Sequence, residues 1–172
     1  MPDPIPFTAR RVAFVSTRIA CTDGVSLEIG KWASVIEEMG LQCYYFAGES
    51  DRPAERTALI PEAHFNHPDI LDISRRAFES EVRTPQLTDD ILRIARGIRN
   101  QLAEAIERFD IDALIAQNAL TIPMNIPLGI AIVQAAQEHG LPCVAHHHDF
   151  FWERPRFLVN AVDDLIRYAF PP

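Results

Sequence analysis

The residues best equipped for chemistry stand together late in the chain: His146-His147-His148-Asp149-Phe150-Phe151-Trp152-Glu153-Arg154-Pro155-Arg156-Phe157. Half of the six histidines fall in this run, directly after the apolar stretch Pro142 to His146. Imidazoles, a carboxylate and two guanidinium groups are costly to bury without partners. With aromatic faces between them they suit a polar, ring-shaped ligand. A ligand-facing loop is therefore one reading. A zinc site is a second, because in an extended chain His146 and His148 share a face with Asp149 nearby. No HExxH motif completes it, and His64, His67 and His139 lie in unrelated segments. Local capping and hydrogen bonding by the histidines is the third.

Two other loops carry weaker patterns. Ser16 to Val25 places Gly24 just before a helical stretch, where close backbone approach and exposed amides could hold a phosphate or a sugar hydroxyl. It is neither GxGxxG nor a Walker loop, so an ordinary dinucleotide or ATP site lacks its signature, and a plain turn at Gly24 explains it equally well. Gln117 and Asn118 offer side-chain amides that could bind a polar ligand or satisfy loose backbone ends. The second role weighs more.

The elements that must position these loops alternate. Arg11 to Thr17, Leu41 to Ala47, Asp112 to Gln117 and Pro142 to His146 are short, apolar and rich in β-formers, as strands buried on both faces should be. Between the first two, Val25, Ile29, Trp32, Ile36 and Met39 recur at helical spacing, after cap chemistry at Thr22, Asp23 and Gly24 and before the stop at Gly40. Thr88 can cap a second long helix with its apolar stripe from Ile91 to Phe109, and Asn125 and Pro127 open a third that runs to His139 and Gly140. Asn160 to Phe170 reads as a last helix. Gly48 to Pro85, punctuated by Pro53, Pro61 and Pro68, is irregular, with hints of short elements at Glu62 to Asn66 and Ile70 to Phe78. The alternation implies right-handed crossovers and a Rossmann-like α/β fold: a parallel sheet flanked by helices on both faces.

Composition sets limits. With 172 residues the chain suits one domain, residues 1–172, and 48% hydrophobic against 23% charged residues is ordinary globular content. Sixteen Lys and Arg against 24 Asp and Glu give a net −8, which argues against a broad nucleic-acid surface. No apolar run approaches the roughly 20 residues of a membrane span. Pro2, Asp3, Pro4 and Pro6 occupy the place of a signal peptide's basic and apolar segments. Three cysteines without a CxxC pair fit a reducing, cytoplasmic compartment, with the thiols mostly filling core.

Residues 12–48, with their strand, glycine-containing loop, helix and second strand, resemble the opening of retaining family 4 glycosyltransferases of the two-domain GT-B fold. Residues 112–157 are closer still, because the family often has a His-Asp step followed by aromatics and Trp-Glu-Arg. The resemblance implies sugar transfer from a nucleotide-sugar to an acceptor, without a metal ion or other cofactor. It implies Gly24 and Val25 beside the donor diphosphate and His148 facing donor sugar and acceptor as the catalytic residue. His146, His147, Asn118, Asp149 and Trp152 fall nearby as substrate-binding candidates. Arg154 and Arg156 either bind an anionic acceptor or steady the loop. The family usually has Gly-Gly where this chain has Asp23-Gly24. Such enzymes also carry a C-terminal nucleotide-sugar-binding domain with an E-x7-E motif. The chain is thus expected to be a truncated, acceptor-side half, inactive alone, located in the cytoplasm, with contact at the inner membrane face and pairing of two copies both allowed but not required. A non-catalytic binding module, or one subunit of a split transferase, is the alternative; a small metal hydrolase built on the histidines ranks behind both.

Overall fold

The structure, a computed structural model, describes residues 9–171. The proline-rich start, read above as unlike a signal peptide, lies outside the described residues. Strands β1 (Arg11–Ser16), β2 (Gln42–Ala47), β3 (Thr57–Leu59), β4 (Ala113–Gln117) and β5 (Cys143–His146) form one parallel sheet in the order β3-β2-β1-β4-β5. Helices α1 (Gly24–Glu38), α2 (Pro68–Phe78), α3 (Pro85–Phe109), α4 (Ile126–His139) and α5 (Asp163–Ala169) complete the Rossmann-like α/β arrangement.

Strand alternation divides the core. Ala13, Val15, Phe46, Leu114 and Ala116 face α2 to α5, where Ile91, Ile98, Leu102, Leu128 and Ile132 bury their side chains. Val12, Phe14, Cys43, Tyr45, Ala113 and Ile115 face α1, meeting Ile29 and Ala33. Burial of β1 and β4 on both faces explains their unbroken apolar runs. Between β1 and β4 the strand order reverses: the chain builds outward to β2 and β3 on one side, then to β5 on the other. That reversal opens a crevice at the carboxyl ends of the two strands.

Four expectations change in detail. The irregular region holds β3, whose three residues between Pro53 and Pro61 are too few to show a period. Helix α3 begins one turn before Thr88: Thr84 Oγ1 accepts from the Leu87 N–H at 3.2 Å with Pro85 at the first position, while Thr88 accepts from Arg83 Nε. Helix α5 starts at Asp163 because Asn160 bonds the Val162 amide at 2.9 Å and forms a turn instead. Strand β5 is the sheet edge and is not buried on both faces; Val144 is 50% exposed. Along α1 a hollow of about 460 Å³ is lined by Glu28, Lys31, Trp32, Val35, Ile36 and Met39.

The cysteines also depart from a common core role. Cys43 is buried and its thiol is pushed up to about 12 by burial, whereas Cys21 and Cys143 are exposed. A thiol reagent at pH 8 is expected to modify Cys21 first in the native protein, Cys143 more slowly because burial pushes its thiol up, and Cys43 only on unfolding. Mass spectrometry of the labelled peptides checks this; early labelling of Cys43 would contradict the packing.

Candidate functional site

All three loops singled out in the sequence leave the same rim of the sheet, because β1, β4 and β5 are parallel neighbours. The crevice at the strand reversal is a cleft of about 210 Å³. Ser16, Thr17, Arg18, Asp23 and Val25 line it from the β1 side, Asn118, Ile122 and Met124 from the β4 side, and Phe65 closes it. Phe65 and Met124 are also shared with a larger groove of about 540 Å³, which extends to Arg75, Phe78 and Arg156. The two hollows therefore adjoin as one trough, with Phe65 and Met124 between them.

At the start of α1 the helix terminus is capped by a side chain of the chain itself. Asp23 Oδ1 accepts from the amides of Val25 (3.0 Å) and Ser26 (3.1 Å), and Asp23 pairs with Arg18 at 3.0 Å. The Val25 amide expected beside a diphosphate is thus engaged, and the Gly24 amide is left without a protein partner among the described residues. Burial works to raise the Asp23 carboxyl, but hydrogen bonds from the Ser26 amide and hydroxyl and the Arg18 guanidinium outweigh it and hold it below the usual range. Its stabilising effect is full above the ordinary carboxylate value of about 4 and fades as pH falls through the lowered native value.

Asp23→Ala is expected to cost about 1 kcal/mol through loss of the cap. It also frees two amides and Arg18 to meet an anion. Thermal melts should show a lower Tm in buffer but a larger upward shift with pyrophosphate than the parent shows. A smaller shift would deny the helix terminus an anion-binding role.

The histidine turn is held to β4 by Asn118. This residue adopts a left-handed conformation at φ 56°; its N–H donates to the His146 carbonyl at 2.9 Å, and its Oδ1 accepts from the His148 N–H at 3.3 Å. The three imidazoles then take separate places. His146 stacks on Trp32 of α1, with ring centroids 4.7 Å apart. His147 turns inward to the Thr121 hydroxyl and lies against Phe150; burial, then the neighbouring His146, hold its pKa below the ordinary imidazole value. His148 is exposed at the rim, with Nε2 3.0 Å from Gln117 Nε2. Gln117, wholly buried, also reaches His146 Nδ1 at 3.0 Å, so the pair suspected of ligating zinc instead brackets an amide. Among the described residues no group of three or more His, Cys, Asp and Glu side chains is placed to hold a metal ion.

Farther along, Asp149 pairs with Arg154 through its Nε at 2.7 Å and through Nη2, so Arg154 steadies the turn. Glu153 accepts from the Phe150 N–H at 2.7 Å and closes the next turn. Trp152 is half exposed and stacked on Phe150 at 4.5 Å. Arg156 sits apart from these, over the buried Phe157 ring at 4.5 Å, with no acidic partner among the described residues. It looks into the 540 Å³ groove.

Along nearly its whole length the chain is similar to mannosylglucosylglycerate synthases. It is 29% identical over 167 residues to the protein of that name from Petrotoga mobilis, covering 94% of this chain and 37% of that protein. The Thermotoga maritima protein of the same name is 26% identical over 167 residues, with the same coverages. The chain therefore spans little more than a third of the length of these curated relatives. No protein-family model and no solved structure matches it. No helix among the described residues is long and apolar enough to cross a membrane.

Sequence reasoning missed Phe65, Ile122, Met124 and Arg75 as lining residues. Phe65 comes from the irregular stretch and Met124 from a loop, and apolar residues there carry no local mark of a cleft. Arg18 and Asp23 stood in the quoted loop, where Asp23 could be read as a cap but its pairing with Arg18 could not.

Proposed function

We propose that this chain is the N-terminal, acceptor-side part of a retaining GT-B glycosyltransferase of the family 4 kind. It acts with a C-terminal nucleotide-sugar-binding domain, without a metal cofactor, to pass a sugar onto an anionic glycoside. The observation that carries the reading is the trough at the strand reversal, where the β1 loop meets Asn118, the residue to which the histidine turn is bonded. Similarity to two mannosylglucosylglycerate synthases supports a mannosyl donor and a glucosylglycerate acceptor.

In this arrangement the Gly24 amide and Arg18 meet the leaving diphosphate, with Asp23 releasing Arg18 as the anion enters. His148 hydrogen-bonds the donor sugar and acceptor at the rim. The acceptor lies along the groove with its carboxylate toward Arg156, whose guanidinium is already oriented by Phe157. Closure of the second domain over the trough excludes water, which would otherwise compete with the acceptor.

The test is a transfer assay on the full-length protein with a panel of nucleotide-mannose donors. Glucosylglycerate and its neutral counterpart glucosylglycerol serve as acceptors, and NMR reads the anomeric configuration of the product. Transfer with retention, favouring the charged acceptor at least about tenfold and losing that preference in Arg156→Gln, is expected. Equal use of both acceptors would remove Arg156 from recognition, and no transfer from any donor would overturn the enzyme reading.

A further inference from the structure

Gln117 is fully buried and makes two side-chain contacts, one with His146 Nδ1 and one with His148 Nε2, both at 3.0 Å. A carboxamide has one accepting end and one donating end. When its oxygen faces one imidazole its nitrogen must face the other, so only one of the two facing ring nitrogens can carry a proton.

The orientation here sets Oε1 toward His146 and Nε2 toward His148. His146 can then gain a second proton on its far nitrogen and keep its bond to Gln117. His148 cannot: a proton on Nε2 would set N–H against N–H across a part-buried contact. The neighbouring charges leave the assignment to the amide: Glu28 on α1, the carboxylate near His146, is paired with Lys31 at 3.2 Å, Asp149 and Arg154 farther along the turn neutralise each other, and His147 is the remaining titratable ring.

We propose that Gln117 is a positioning residue that forces opposite protonation on the two facing nitrogens, directing charge to His146 and holding His148 neutral with its proton on Nδ1. His148, exposed and bonded through its backbone to the cleft residue Asn118, then carries a neutral N–H donor able to bond a sugar or acceptor oxygen without placing a full positive charge beside it. The value of this donor for catalysis rests on the transfer reading above; the tautomer itself does not.

The experiment is two-dimensional ¹H–¹⁵N spectroscopy of the imidazoles in the chain, titrated between about pH 5 and 9, with Gln117→Leu and Gln117→Glu alongside. In the parent, His148 is expected as the Nδ1–H tautomer, with His146 charging first as pH falls. Gln117→Glu replaces the amide by an acceptor-only carboxylate and should raise the His148 pKa by at least about 1. Gln117→Leu should leave His148 a mixture of tautomers. A parent His148 protonated on Nε2 overturns the proposal even if neither variant folds, as does a His148 unmoved in both variants. Failure of sugar transfer with the tautomers as stated would count against the transfer reading alone.

Discussion

If the proposed transfer reading holds, replacing His148 with alanine in the full-length protein is expected to lower kcat by at least about 100-fold, the usual scale for losing a positioned polar group at a reacting centre. Stability should hardly move. The imidazole is exposed, and the one protein group bonded to its ring, the Gln117 amide, faces space that solvent can fill once the ring is gone. Substitutions at such surface positions usually stay within about 0.5 kcal/mol. Steady-state kinetics with the melting temperature measured on the same preparation separates the two effects. A kcat within about threefold of the parent would take His148 out of the chemistry. His147→Ala should behave in the opposite way, because that ring is turned to Thr121 and Phe150 and supports the turn from inside.

The second large effect concerns Gly48, which never suggested itself as a site residue. It follows β2 directly, and a β-carbon built on it would lie 2.2 Å from the His64 nitrogen and 2.5 Å from the His64 Cα. These are main-chain atoms of the segment that carries Phe65, so relief requires that segment to move. Gly48→Ala is expected to cost about 3 kcal/mol, the upper end for overpacking, and to lower Tm by about 6–12 °C in a domain this size. It should also withdraw Phe65 from the wall between cleft and groove, weakening acceptor binding more than donor binding. A melt within about 2 °C of the parent would show that the close approach is not structurally demanding. An unchanged acceptor KM beside a lowered Tm would detach Phe65 from the acceptor path.

Much of this architecture could be read without coordinates. Runs such as Val12 to Val15 and Ala113 to Ala116 declare doubly buried strands, because a polar residue on either face would lack a partner there. Gly140 marks a helix end in its own chemistry, adopting φ 62° where α4 stops. Thr88 misled because a threonine followed by two aspartates makes a plausible cap wherever it falls. The choice between Thr84 and Thr88 depended on Leu87, which reaches the core only if the helix has already begun. Zinc ligation by His146 and His148 was an open reading because alternation along a strand places both rings on one side but does not say what stands between them.

Sequence alone determined that three polar loops follow apolar strands and that parallel crossovers would bring their ends to one rim, since periodicity and helix stops are local properties. It also singled out the histidine run, because nine titratable or aromatic side chains in succession, His146 to Arg154, are conspicuous in any context. Only the tertiary structure decided which groups answer one another. The Asp23 carboxylate closes on the helix terminus that seemed open, Arg154 and Arg156 part company, and Gln117 joins two imidazoles from 29 and 31 positions away. Hydrogen-bond direction and charge pairing act over about 3 Å in space, whatever the separation along the chain, so no spacing rule could have named those partners.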